Sequence, residues 1–218
     1  MKKILAASAA AVALTMVSTP ASAANFVGSY LGVDVGYGTG EANSENFGAI
    51  GGPLTSTQAD ANIDGALLGA HIGHNWAGGS SWIFGVEGEF RYAGLDGDDG
   101  GSGGDTNELS TDWEGSLQAH IGTMMSPTSM FYVLAGWSWM GADSNVLDPG
   151  EEETVSETFS GWTAGAGVEF GLSPTSNLRI QYRYTDYSSE TLTFPGNAYD
   201  LGVGPTVHDV TLGLNWYF

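Results

Sequence analysis

The segment Val207–Phe218, VHDVTLGLNWYF, alternates with a period of two along its length. Val210, Leu212, Leu214, Trp216 and Phe218 fall on one parity, and Asp209, Thr211, Gly213, Asn215 and Tyr217 on the other. An extended chain sends successive side chains to opposite faces, so this strand has one apolar face and one small or polar face. It ends on the apolar face, at an aromatic residue. A strand of this kind calls for a sheet closed on itself with lipid outside, where no edge can stay unpaired.

The remaining strands follow in order. Asn25–Tyr37 sets Val27, Leu31, Val33, Val35 and Tyr37 against Tyr30, Gly32, Asp34 and Gly36. Ile63–Trp76 sets Ala66, Leu68, Ala70, Ile72, His74 and Trp76 against Gly65, Gly69, His71, Gly73 and Asn75. The third strand opposes Trp82, Phe84, Val86, Phe90 and Tyr92 to Gly85, Glu87, Glu89 and Arg91. Trp113–Met125, Met130–Met140, Gly161–Phe170 and Leu178–Tyr187 complete a set of eight. Tight turns are expected at Ala77–Ser80, Ser126–Ser129 and Ser173–Asn177. Long loops are expected to about Asn62, over Asp96–Asp112, over Gly141–Glu157 and before the last strand. Short and long connections therefore alternate, which predicts an all-β, eight-stranded, antiparallel transmembrane up-and-down barrel with both termini on the periplasmic side. A soluble lipocalin-like barrel would place its apolar parity inward around a ligand. Here Glu, Arg, Gln and Gly oppose the apolar parity, so the expected surroundings are lipid.

The first segment reads as a secretory leader. Lys2 and Lys3 precede the apolar run Ile4–Val17, and Ala21-Ser22-Ala23 is a small-residue cleavage site, so residues 1–23 are expected to be removed and 24–218 to form the barrel domain. The run is too short to span a bilayer as a helix. Without it, Arg91, Arg179 and Arg183 stand against 25 acids, a formal net charge of −22. That excess argues against nucleic acid as a partner, and against bare anionic lipid unless divalent cations bridge the contact.

Gly161–Phe170, Tyr182-Arg183-Tyr184-Thr185-Asp186 and Val210–Phe218 resemble strands of small outer-membrane porin-family proteins of Gram-negative bacteria, with an OmpA-like eight-stranded barrel. The resemblance covers essentially the whole chain after the leader. It implies residence in the cell outer membrane, among lipid and lipopolysaccharide, after handling by periplasmic chaperones and the outer-membrane insertion machinery. It also implies that Val210, Leu212, Leu214, Trp216 and Phe218 act as the insertion signal. A structural or surface role follows from it, as a monomer without a cofactor. Because the sequence stops at Phe218, no peptidoglycan-tethering domain is expected.

Two further sets of residues follow from parity. Trp76, Trp82 and Trp216 lie at the short-turn ends of their strands, and Trp113, Trp137, Trp139 and Trp162 toward the long-loop ends, as two aromatic belts would. Asp34, Glu87, Glu89, Arg91, Glu114, Glu169, Arg179, Arg183 and Asp209 fall on inward parity. An eight-stranded barrel is about wide enough for side chains to fill, so these predict a salt-bridged plug more strongly than a narrow porin-type channel. Arg183 is expected to pair with one or more of Glu87, Glu89, Glu114 and Glu169.

His71 and His120 also face inward, with Glu87 on the strand between, which suggests either a metal site or hydrogen-bonded members of the plug. No ligand-spacing motif supports the metal, so no metal site is assigned. Some barrels of this strand number are lipid A-modifying enzymes with an outward His–Ser pair near the external rim. His208 is the histidine placed there, and no serine–histidine motif surrounds it, so no catalytic residue is assigned. The acidic run Asp96-Gly97-Asp98-Asp99-Gly100-Gly101 lacks the spacing of a calcium loop and reads as solvated surface, open to divalent cations or host ligands.

Overall fold

In a computed structural model the protein is described over residues 26–49, 58–79, 81–98, 106–148, 151–194 and 199–218. The leader, residues 1–23, lies outside these, as do Ser80 and Asp99. The described residues form strands β1 (Gly28–Ala49), β2 (Gln58–Ala77), β3 (Trp82–Asp98), β4 (Thr106–Ser126), β5 (Ser129–Asp148), β6 (Glu151–Gly171), β7 (Ser176–Tyr187), β8 (Glu190–Phe194) and β9 (Tyr199–Tyr217). Each pairs antiparallel with its neighbour, and β9 pairs with β1 from Tyr30↔Tyr217 onward, which closes the sheet. β7 and the short β8 both lie along β9, one above the other, so nine strands make eight staves.

The alternation has its physical counterpart in exposure. Val33, Leu68, Phe90, Leu117, Val133, Ile180 and Val210 face outward, Phe90 with 62% of its surface exposed. Crossing hydrocarbon takes a strand of roughly 9–11 residues. β1 has 22, and among its residues with described side chains, up to Glu41, the last exposed large apolar one is Tyr37. The outer stretches of the strands therefore continue the ladder beyond the apolar band. This corrects the expected long loops: β1 runs to Ala49, β3 to Asp98 and β5 to Asp148, and β4 and β6 begin at Thr106 and Glu151. Past the bilayer a strand no longer needs an apolar face, so Gly-, Thr- and acid-rich sequence pairs through its backbone without an alternating signature. The segment expected as the last long loop contains β8.

At the other end the connections are tight. Gly79 takes a φ of +99°, a left-handed conformation suited to glycine, and Gly78 N–H donates to Trp82 O at 2.7 Å across the β2–β3 turn. Leu172 N–H and Ser173 N–H both donate to Ser176 O to close β6 onto β7.

Candidate functional site in the barrel lumen

Inward residues stack in three layers along the barrel axis. At the tight-turn end, Phe26, Ile83, Met130, Tyr132 and Leu134 form an apolar cluster. Toward the far end, Ile63, Leu67, Ala93, Leu95, Met140, Ala142, Phe159 and Val207 are buried. Gly38 sits where Leu67, Leu95 and Val207, from three different strands, converge within 3.0–3.6 Å of the position its β-carbon would take. Between these apolar layers lies the charged one.

All nine charged residues of the expected network are buried, Arg183 with no exposed surface, and of them Glu169 lies toward the tight-turn end, cross-strand from Met130. Arg183, on β7, donates to Glu89 Oε2 at 2.7 Å, Glu114 Oε1 at 2.5 Å, Asp209 Oδ2 at 3.3 Å and Ser116 Oγ at 3.2 Å. Arg91 Nη2 donates to both Glu114 oxygens at 3.0 and 2.9 Å and to Asp209 Oδ2 at 2.8 Å. Two guanidiniums thus clamp one pair of carboxylates across β3, β4, β7 and β9. Arg179 is separate: its Nη1 donates to Glu87 Oε2 at 2.6 Å, and Tyr30 and Gln118 also donate to Glu87. Glu169 accepts from Asn177 at 2.8 Å and Tyr217 at 2.9 Å. The partners of Arg183 are therefore Glu89 and Glu114 of the expected four, joined by Asp209 rather than Glu87 or Glu169. Parity gives the face of a side chain, whereas register and barrel shear decide its height.

The proposed His71–Glu87–His120 grouping does not form. His71 faces Asp34 Oδ2 at 3.0 Å and Asn215 Oδ1 at 2.7 Å, His120 meets Asn75 Oδ1 at 2.8 Å, and Glu87 is held by Arg179. The register pairs His71 with Glu89, not Glu87. A cavity of about 10 Å³ between Tyr30, Glu87, Gln118, His120 and Arg179 is scarcely large enough for one water. A concavity of about 700 Å³ lies along the wall, where Gly88, Ala119 and Ala135 sit between Ile72, Leu117 and Trp137.

On the outer face, Trp76, Trp82, Trp137, Trp162 and Trp216 are exposed, and Trp113 and Trp139 half-buried. Trp113 stacks on Phe90 with ring centroids 6.0 Å apart. Val210, Leu214, Trp216 and Phe218 are exposed along β9 and Leu212 half-buried, and Phe218 N–H donates to Ser29 O at 3.0 Å. His208 lies 2.7 Å from the Tyr182 hydroxyl rather than beside a serine. Ser29 Oγ does meet His74 Nδ1 at 2.9 Å, but the imidazole packs against Trp76.

A closed antiparallel barrel with apolar residues outward and an ionic layer inward is the architecture of an outer-membrane protein, and a family model described as outer membrane protein beta-barrel domain matches residues 9–218. The chain belongs to that family. The outer membrane beta-barrel protein is 27% identical over 211 residues to the 31 kDa outer-membrane immunogenic protein of Brucella melitensis biotype 1, across 92% of this chain and 87% of that one. It is 32% identical over 173 residues to the 22 kDa outer membrane protein of Rhizobium leguminosarum bv. viciae, across 78% and 76%. The outer membrane protein OprG of Pseudomonas aeruginosa shares its fold at a TM-score of 0.53 and 12% identity, covering 91% of this chain and 100% of that one. The protein resides in the cell outer membrane.

Proposed function

We propose that this barrel acts as a structural and surface element of the outer membrane, with a sealed lumen and no catalytic role. The observation that supports this reading is a buried ionic cluster at mid-lumen with buried apolar side chains toward both ends. Apolar constrictions exclude water, and an eight-stranded barrel is about narrow enough for inward side chains such as these to fill. Purified protein in planar bilayers should therefore show no stable conductance. Large, reproducible channels would replace this reading with a porin-type one.

The far ends of the strands, carrying the acidic segments, would face outward from the cell, and the relatives named immunogenic fit such surface display. There the acids would meet lipopolysaccharide through divalent cations, or host ligands. Removal of residues 1–23, passage through periplasmic chaperones and recognition of the Val210–Phe218 stripe by the insertion machinery complete this reading, with the Trp positions as interfacial belts. Deleting Phe218 should lower outer-membrane levels and raise periplasmic degradation, measured by fractionation. Unchanged levels would remove Phe218 from the signal.

A further inference from the structure

We propose that Asp34, His71 and Glu89 form a buried site for one divalent first-row metal ion with mixed nitrogen and oxygen preference, of the zinc class. One donor atom from each lies within 4.8 Å of the others, on three successive strands. His71 and Glu89 are directly cross-strand, and Asp34 sits opposite Gly69, one inward step from His71.

The backbone makes room for these side chains. A β-carbon at Gly32 would fall 2.2 Å from His71 Nε2, and one at Gly69 would fall 2.8 Å from Asp34 Oδ1. The imidazole is oriented from behind: Nε2 faces Asn215 Oδ1 at 2.7 Å, as a metal-bound histidine is commonly held by its second nitrogen. Nδ1 faces Asp34 Oδ2 at 3.0 Å. Two carboxylates and an imidazole this close call for positive charge, as a proton or as a cation.

Arg179 supplies only part of it. Its Nη2 lies 3.2 Å from His71 Nδ1 and 4.0 Å from Asp34, while its Nη1 is committed to Glu87 at 2.6 Å. Arg183 takes Glu89 Oε2, and no donor among the described residues reaches Asp34 Oδ1 or Glu89 Oε1. Both residues are more than nine-tenths buried. Among the described residues six buried carboxyls stand against three guanidiniums in this lumen, an excess relieved either by protons on some carboxyls or by a bound cation. A divalent ion would supply positive charge beside Asp34 Oδ1 and Glu89 Oε1, with His71 Nδ1 turning from Arg179 to the ion. Two carboxylates and an imidazole suit zinc or manganese better than calcium or magnesium, which take oxygen-only shells. Ligands around tetrahedral zinc stand roughly 3.4 Å apart, a contraction that side-chain rotation can provide.

On the proposed reading of a sealed lumen, the ion would enter while the barrel forms. The test is to refold the protein in detergent with zinc, pass it over chelating resin and measure metal by atomic emission. One zinc per chain should remain, and Asp34→Asn with Glu89→Gln should abolish it while Glu151→Gln, Glu152→Gln and Glu153→Gln together leave it unchanged. Retention of no zinc by the wild type, with the carboxyls then sharing protons, would overturn the site, as would equal retention by the Asp34/Glu89 variant. Should that variant fail to fold, Asn215→Ala keeps all three donors. It should weaken zinc affinity roughly 10–100-fold against a competing chelator, and an unchanged affinity would equally overturn the site. Zinc content is read independently of conductance, so this test and that of the sealed lumen can fail separately.

Discussion

The ionic middle of the lumen and the apolar layer toward its far end occupy the same parity of the same strands, yet they hold together differently. In the apolar layer Leu67, Leu95 and Val207 converge without directional demands. Loss of one leaves a cavity whose cost depends on how far its neighbours relax. In the ionic layer Arg183 serves three carboxylates and Glu114 serves two arginines, so each charge is compensated only while every partner stays. The difference teaches that an apolar layer resists damage gradually, whereas a charge cluster fails at its hub.

The largest expected effect is accordingly at that hub. Arg183→Ala leaves Glu89, Glu114 and Asp209 with Arg91 as their main counter-charge, and breaking a buried pair costs about 3–5 kcal/mol. The urea midpoint of the refolded barrel should fall accordingly, or a leak should open. An unchanged midpoint without conductance would make the two layers equivalent and sink the comparison. Leu95→Ala should cost roughly 2–5 kcal/mol by cavity formation, and on the proposed sealed-lumen reading conductance should stay absent, because the ionic layer would still block the axis. A leak in that variant would move the seal from the charges to the apolar layer.

The Arg179–Glu87 pair sharpens the same contrast at smaller scale. Arg179→Met and Glu87→Leu should each destabilise, and together they should destabilise less than their sum, with a coupling of roughly 0.5–3 kcal/mol. Additive losses would mean that the pair acts as two independent packing groups. Smallest of all, Glu157→Ala removes an exposed carboxylate and should change stability by no more than about 0.5 kcal/mol.

The contrast also marks what was legible from sequence. The ionic layer's facing was readable because Glu87, Glu89, Arg91, Arg179 and Arg183 interrupt strongly apolar strands at every second position, and lipid forbids the opposite orientation. The far apolar layer was not. Leu95 lies between Gly94 and Asp96, and Phe159 between Thr158 and Ser160, so these inward apolar residues had no adjacent outward apolar partners to define a phase. The strand extensions of β3 to β6 were missed for the same reason. Within the ionic layer, Asp34 and Asp209 could be put on the inner face but not matched to His71 and to the arginines. Those contacts join strands far apart in the chain, through a stagger that periodicity does not encode.

The closure of β1 on β9 carries a consequence for the order of events. Tyr30 meets Tyr217, and Asp34 meets Gly213, so the first stave lacks its second neighbour until the last has arrived. The two ends must find each other across nearly the whole chain, which makes the closing step slow on entropic grounds. Until then both edges expose unpaired backbone groups, a hazard in water and untenable in lipid. Maturation should therefore be a single late commitment rather than a gradual accretion of hairpins. The interval before it is when the molecule most needs escort.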